Sequence, residues 1–371
     1  MSTRKLRVGI IGAGDVAQVI HLPVLSLLSH LYTMVAICDI SNKASNTTDH
    51  CASKFHIPTS TTKPYDILTN SDVDVVFILC TDEFHEPYTI AALQAGKHVM
   101  LEKPMTLSSP SAQRMIDAEQ SAPNGARVFV GYMRRYAKSF TQTFLRELTT
   151  IPRILYARSR DFCGPNPRFL SESGTFQIRS TDYSAEAAVE RERRLDILYR
   201  EAFPDQEITL EKQQYCRFLG SLGSHDISLM REALGVPESV GGVSVNEPFY
   251  SAIFNYRNKT GEFFAVTYES GSDIVPDFDA HLAVYGENKR VSIKYDTPFV
   301  KGLAIKVTVH EVNEYGEIQT REMIGSYEDA YTTELLEMYE CVVNGKEIKT
   351  SLEDAKEDLR IYDMMYARMN A

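Results

Sequence analysis

The chain has 371 residues, 43% of them apolar and 24% charged, which is enough for two domains and a sizeable buried core. A formal charge of −11 argues against a non-specific nucleic-acid partner. No apolar run approaches the ~18 residues of a membrane span, and the opening Arg4, Lys5 and Arg7 lead into no secretory signal.

The first element is an apolar run, Val8 to Ile11, expected as a buried parallel strand. The turn Gly12-Ala13-Gly14 follows, and Asp15-Val16-Ala17 opens a helix. Gly12 allows the sharp turn, Gly14 lets a pyrophosphate approach the backbone, and Ala17 lets the helix sit on the strand. The free N–H groups of the helix start then face an anion. A second strand, Thr33 to Cys38, ends in Asp39, 22 residues past Ala17 and near the ~20 expected of a ribose-binding carboxylate. Such an acid repels a 2′-phosphate, so NAD is favoured and NADP is less suited. Lys43 would pull the other way.

Three more strands are expected: Asp72 to Cys80, Lys97 to Leu101 and Arg127 to Val130. Helices from Pro87 to Ala95 and from Ser109 to Glu119 separate them. This alternation implies an α/β, doubly wound parallel sheet, with ligands bound beyond the carboxyl ends of its strands. Asp39, Thr81, Lys103 and Tyr132 each follow a strand end and belong on that rim.

After about Tyr136 the pattern changes. A strand from Arg153 to Phe162 precedes a charged, helix-prone segment, whose run Glu186 to Arg194 reads as a solvated helix face. A helical run from Glu211 to Leu234 carries Gly220, Gly223 and His225. From Ser239 to about Thr320, close strands without intervening helices imply an α+β half on a mostly antiparallel sheet. Two helices close the chain. The six cysteines (Cys38, Cys51, Cys80, Cys163, Cys216 and Cys341) and nine histidines lack disulfide or metal-ligand spacing. They imply reduced, cytoplasmic thiols and no metal.

The segments VGIIGAGDVA, TDEFHEPYTIAALQAGKHVMLEKP, GYMRRY and GSLGSHD resemble the Gfo/Idh/MocA oxidoreductase family. The resemblance implies a Rossmann domain over 1–131 and a substrate-binding and oligomerisation α+β domain over 132–371, built on a large open-faced sheet. About 165–211 stands out as an insertion, expected at the substrate side or at an oligomer interface. The resemblance also implies a homodimer or homotetramer joined through the C-terminal sheet. Lys103 is then the active-site lysine, able to polarise a carbonyl or pass a proton. Glu102 orients it or contacts the nicotinamide ribose. Gly12, Ala13, Gly14, Asp15, Val16, Asp39, Thr81 and His85 are cofactor contacts. His225 is the second acid/base residue, and Ser221 stands four residues earlier where the family carries an aspartate. A serine cannot hold an imidazolium as a carboxylate does. Asp226 points elsewhere on a regular helix.

Tyr132 and Arg160 are further substrate candidates, although Arg160 and Asp161 equally suit cross-strand pairs. Arg134 and Arg135 suit a cofactor, a substrate or an ion pair, and His21 and His98 suit packing. The reading is an NAD(H)-dependent oxidoreductase for a small polyol or sugar. Its rivals are an NAD-dependent glycosidase of the same fold and a cofactor-sensing regulator without turnover.

Overall fold

A computed structural model of the chain describes residues 4–41, 44–180 and 182–369. Six short strands pair first: β1 (Leu6–Ile11), β2 (Tyr32–Cys38), β3 (Thr59–Thr61), β4 (Val75–Ile78), β5 (His98–Glu102) and β6 (Val128–Gly131). Their order is β3-β2-β1-β4-β5-β6, and every pairing is parallel. A parallel strand covered on both faces reads as an apolar run that does not alternate, as β4 shows. Val75–Ile78 is buried throughout. The order reverses between β1 and β4, where such sheets open a ligand crevice. The polar β3 has no apolar signal and escapes a reading of hydrophobic runs.

The second sheet holds β7 (Tyr156–Cys163), β8 (Ser239–Asn246), β9 (Phe249–Arg257), β10 (Phe263–Ser272), β11 (Phe278–Tyr285), β12 (Lys289–Tyr295), β13 (Lys306–Val312) and β14 (Ile318–Ile324). Their order is β14-β13-β12-β11-β7-β10-β9-β8. Only β7 and β10 run parallel. Along β7, half-buried and buried residues alternate, so one face is packed and the other is open.

The chain divides into two compact units. The first holds Met1–Gly131, Thr175–Cys216 and Leu335–Lys356. The second holds Tyr132–Gly174, Arg217–Glu334 and Glu357–Ala371. The sequence reading puts all of 132–371 in one domain, but most of its insertion groups with the first unit. Hydrogen bonds explain that placement. Gln18 binds Ile178, Asp15 binds Arg179, and Glu201 accepts from Ser108 and Arg114. Among the described residues no helix is long and apolar enough to cross a membrane.

Candidate functional site

In the first unit, the glycine turn after β1 borders a groove of about 490 Å³. Gly12 has φ +102°, and a Cβ there would lie 2.7 Å from the Leu79 carbonyl oxygen and the Cys80 nitrogen. Glycine is therefore required. At Gly14 a Cβ would meet nothing within 4 Å, because the position faces open space in the groove. That is the clearance a pyrophosphate needs beside the backbone. The helix opens directly after Gly14, whose carbonyl accepts the Gln18 N–H at 3.0 Å, so the N–H groups of its first turn lack an intrahelical acceptor and suit an anion. Asp39 lies on the same groove and is half-buried. Its Oδ2 accepts from the Ala13 N–H at 2.9 Å and its Oδ1 from the Ser41 N–H at 3.2 Å. The residues present thus fit a nicotinamide dinucleotide. Lys43 lies outside the described residues.

Thr81 and His85 follow β4 and part ways. Thr81 lines the groove and donates its hydroxyl to Glu83 Oε1 at 2.6 Å. His85 was expected to touch the cofactor, but it is buried. Its ring nitrogens lie 2.7 Å from the Pro104 carbonyl and 3.1 Å from the Cys80 carbonyl. It ties the end of β4 to the loop after β5, and neither ring nitrogen remains for a ligand.

Lys103 directly follows β5 and is half-buried. Its backbone N–H donates to Glu102 Oε2 at 3.1 Å, and Glu102 Oε1 lies 2.7 Å from His21 Nε2. Burial would raise the Glu102 carboxyl, but the His21 hydrogen bond and charge, with Lys103, hold it below the ordinary carboxylate range. His21 is wholly buried, with its ring edge-on to Phe77 at 5.9 Å. The sequence reading treats it as packing, because nothing in the spacing joins residue 21 to residue 102.

The inserted segment supplies groove residues that the sequence reading misses. Tyr183, Ala187, Ala188 and Arg191 line it. The run Glu186 to Arg194 is therefore not purely a solvated face, since Arg191 Nε donates to the buried Glu83 at 2.8 Å. A larger cavity of about 670 Å³ lies by Arg7, Lys97 and Arg127, at the amino ends of the same strands. It contains none of the expected site residues, and ligands of such sheets bind at the carboxyl ends.

In the second unit, Ser221 sits in the π-helical turn Leu219–Gly223 and His225 in the helix Ser224–Leu234. Ser221 is exposed and His225 half-buried. A π turn inside a helix commonly marks a functional site. Within it Gly223 packs closely against Tyr268, since a Cβ there would meet the Tyr268 hydroxyl at 2.8 Å. Asp226 is committed elsewhere, as expected from its place on the helix. Arg134 donates to Asp226 Oδ1 at 2.7 Å and to Asp161 Oδ2 at 2.8 Å, and all three side chains are buried. Burial and the neighbouring Asp161 charge raise the Asp226 carboxyl well above the usual range. Arg134 and Arg135 are ion-paired, the latter with Glu232.

Two substrate candidates are differently engaged. Tyr132 is 3% exposed, with Arg135 over its ring at 5.8 Å and Asp358 at its hydroxyl. Arg160 lies on the open face of the sheet and pairs with Glu269 on β10 and Asp279 on β11. Asp161, one residue on, points to the packed face, so the two do not enter one pocket together.

Residues 6–132 match the oxidoreductase family domain described as an NAD-binding Rossmann fold, and residues 196–371 match its C-terminal alpha/beta domain. The inositol 2-dehydrogenase of Salmonella typhimurium strain LT2 is 37% identical over 140 residues, 37% of this chain and 40% of that protein. The chain thus aligns with less than half the length of that relative. The myo-inositol 2-dehydrogenase of Thermotoga maritima is 23% identical over 361 residues, 95% of this chain and 92% of its own. A levoglucosan dehydrogenase solved with NADH and levoglucosan shares the fold at TM-score 0.72 and 16% identity, covering 98% of this chain and 97% of its own. With both domains matched in order along one chain, the protein belongs to the Gfo/Idh/MocA oxidoreductase family.

Proposed function

We propose that the protein is an NAD(H)-dependent oxidoreductase acting on a CH–OH group of a small polyhydroxylated compound: a sugar, sugar acid or cyclitol. The observation that carries this reading lies in the first unit. An open glycine turn bonded to Asp39 borders a groove, and Lys103 follows β5 on the buried His21–Glu102 pair. The relatives named for inositol support the substrate class.

When bound, nicotinamide supplies the hydride acceptor or donor. The chain's own residues do the rest. Gly12, Gly14 and the helix start seat the pyrophosphate, and Asp39 takes the ribose hydroxyls and turns away a 2′-phosphate. The Lys103 Nζ holds or moves the proton of the reacting substrate oxygen, and Glu102 anchors the backbone that carries it. His225 is the second acid/base candidate. Six cysteines free of disulfides suit a reducing cytoplasm. The open face of the second sheet suits a homodimer or homotetramer contact, which sedimentation would read.

The test is a polyol and sugar screen with NAD, followed by absorbance at 340 nm. Net NADH from a polyol supports the reading. Product formed without net NADH points to a glycosidase that oxidises transiently, and cofactor binding without turnover points to a sensor. Lys103→Ala is expected to lose ~10²–10⁴ in kcat while NAD affinity stays within a few-fold.

A further inference from the structure

Residues 175–191 fall between the two matched family domains, 6–132 and 196–371. Neither matched domain covers them, yet Tyr183, Ala187, Ala188 and Arg191 among them line the dinucleotide groove of the first unit. Three of their ties bear on the groove. The Gln18 side chain, 2% exposed, brackets Ile178: Nε2 donates to its carbonyl at 2.8 Å and Oε1 accepts from its N–H at 2.9 Å. Arg179 grips Asp15, the residue after the glycine turn, with bonds of 2.9 and 2.6 Å. Arg191 donates to Glu83, the carboxylate that also accepts the Thr81 hydroxyl.

The charge balance of the groove singles out Arg191. Asp15 and Asp39 both line the groove, and among the described residues Arg191 is the one cation that does. Arg179 already pairs with Asp15, so Asp39 is the groove carboxylate that opposes the two negative charges a pyrophosphate brings into this space. Only Nε of Arg191 is engaged among the described residues, which leaves the planar fork of terminal N–H groups. That fork matches phosphate oxygens. Tyr183 lines the same groove and lies close enough to Asp39 for that carboxylate to add to the effect of burial and raise its phenol. An aromatic ring beside the ribose-binding acid offers adenosine a flat apolar surface. Ala187 and Ala188 add little bulk to the groove.

We propose that residues 175–180 and 182–191 form a wall of the cofactor site, with Arg191 binding the dinucleotide's pyrophosphate and Tyr183 packing on its adenosine. This rests on the NAD(H) reading above and adds to it a contact set outside the family domains.

The test is calorimetric titration of the intact protein with NADH and with ADP-ribose. The variants are Arg191→Ala, Arg191→Lys and Tyr183→Ala, each with its melting curve recorded. Arg191→Ala is expected to weaken both ligands by the same factor, about tenfold or more, and Arg191→Lys to recover part of it. Tyr183 is half exposed, so its truncation spares the fold, and it is expected to weaken both about tenfold. Folded variants that bind both ligands as the wild type does would overturn this proposal alone. A wild-type protein that binds neither NADH nor NADPH would overturn the functional reading, and this one with it.

Discussion

Nε2 of His21 lies 2.7 Å from Oε1 of Glu102, with both side chains buried, and the other Glu102 oxygen accepts the N–H of Lys103. The candidate proton-transfer residue is therefore hung on an internal hydrogen-bonded pair. His21→Ala would strand a buried carboxylate and is expected to cost about 3–5 kcal/mol of stability. The sign with pH follows from the lowered Glu102 carboxyl. A depressed carboxylate contributes stability above its unfolded value of 4.5 and loses it as pH falls through the folded value. The gap between wild type and variant is thus expected to be widest near neutrality and to shrink below about pH 4.5. Urea denaturation across pH reads it, and a gap that widens on acidification would contradict it.

Asp39 accepts the Ala13 N–H of the glycine turn, and on the proposed reading its carboxylate decides cofactor choice. NADH is expected to bind more tightly than NADPH, and Asp39→Ala to weaken NADH and narrow that preference. Calorimetry with both dinucleotides checks this. Tighter NADPH binding by the wild type would sink it.

Arg134 sits between two buried carboxylates, and burial beside the Asp161 charge raises the Asp226 carboxyl well above the usual range. A carboxyl raised on folding contributes stability at low pH that is lost as pH rises through its folded value. Asp226→Asn removes that loss and is expected to change stability at pH 7 by less than about 1 kcal/mol. Arg134→Met leaves two buried carboxylates without their cation and is expected to cost about 3–5 kcal/mol. Equal losses from the two substitutions, measured by chemical denaturation, would contradict this arrangement.

Ser221 is exposed in its π turn, four residues before His225. Ser221→Asp would place a carboxylate there, and a nearby carboxylate raises a histidine. The acidic turn of the kcat profile, expected near or below ~6.5 in the wild type, is then expected to move upward. No movement, together with an active His225→Ala variant, would leave His225 a packing role.

Local signals settled much of this protein. Glycines 12 and 14, the acid at 39 and the apolar runs of β1, β2, β4, β5 and β6 announce the parallel sheet and its dinucleotide groove, because a doubly covered strand must be apolar along its length. The alternating strands after residue 238 likewise announce the second sheet. The short polar β3 and the exposed edge strand β14 went unread, for neither buries an apolar face. Long-range pairing stayed hidden as well. His21 meets Glu102 across 81 residues, and Arg191 meets Glu83 across 108. A charged residue carries the same letter whether it is solvated or locked to a buried partner. Only tertiary structure could bring Gln18 to Ile178 and turn a charged insertion into a wall of the groove, because those bonds depend on position in space and leave no period in the chain.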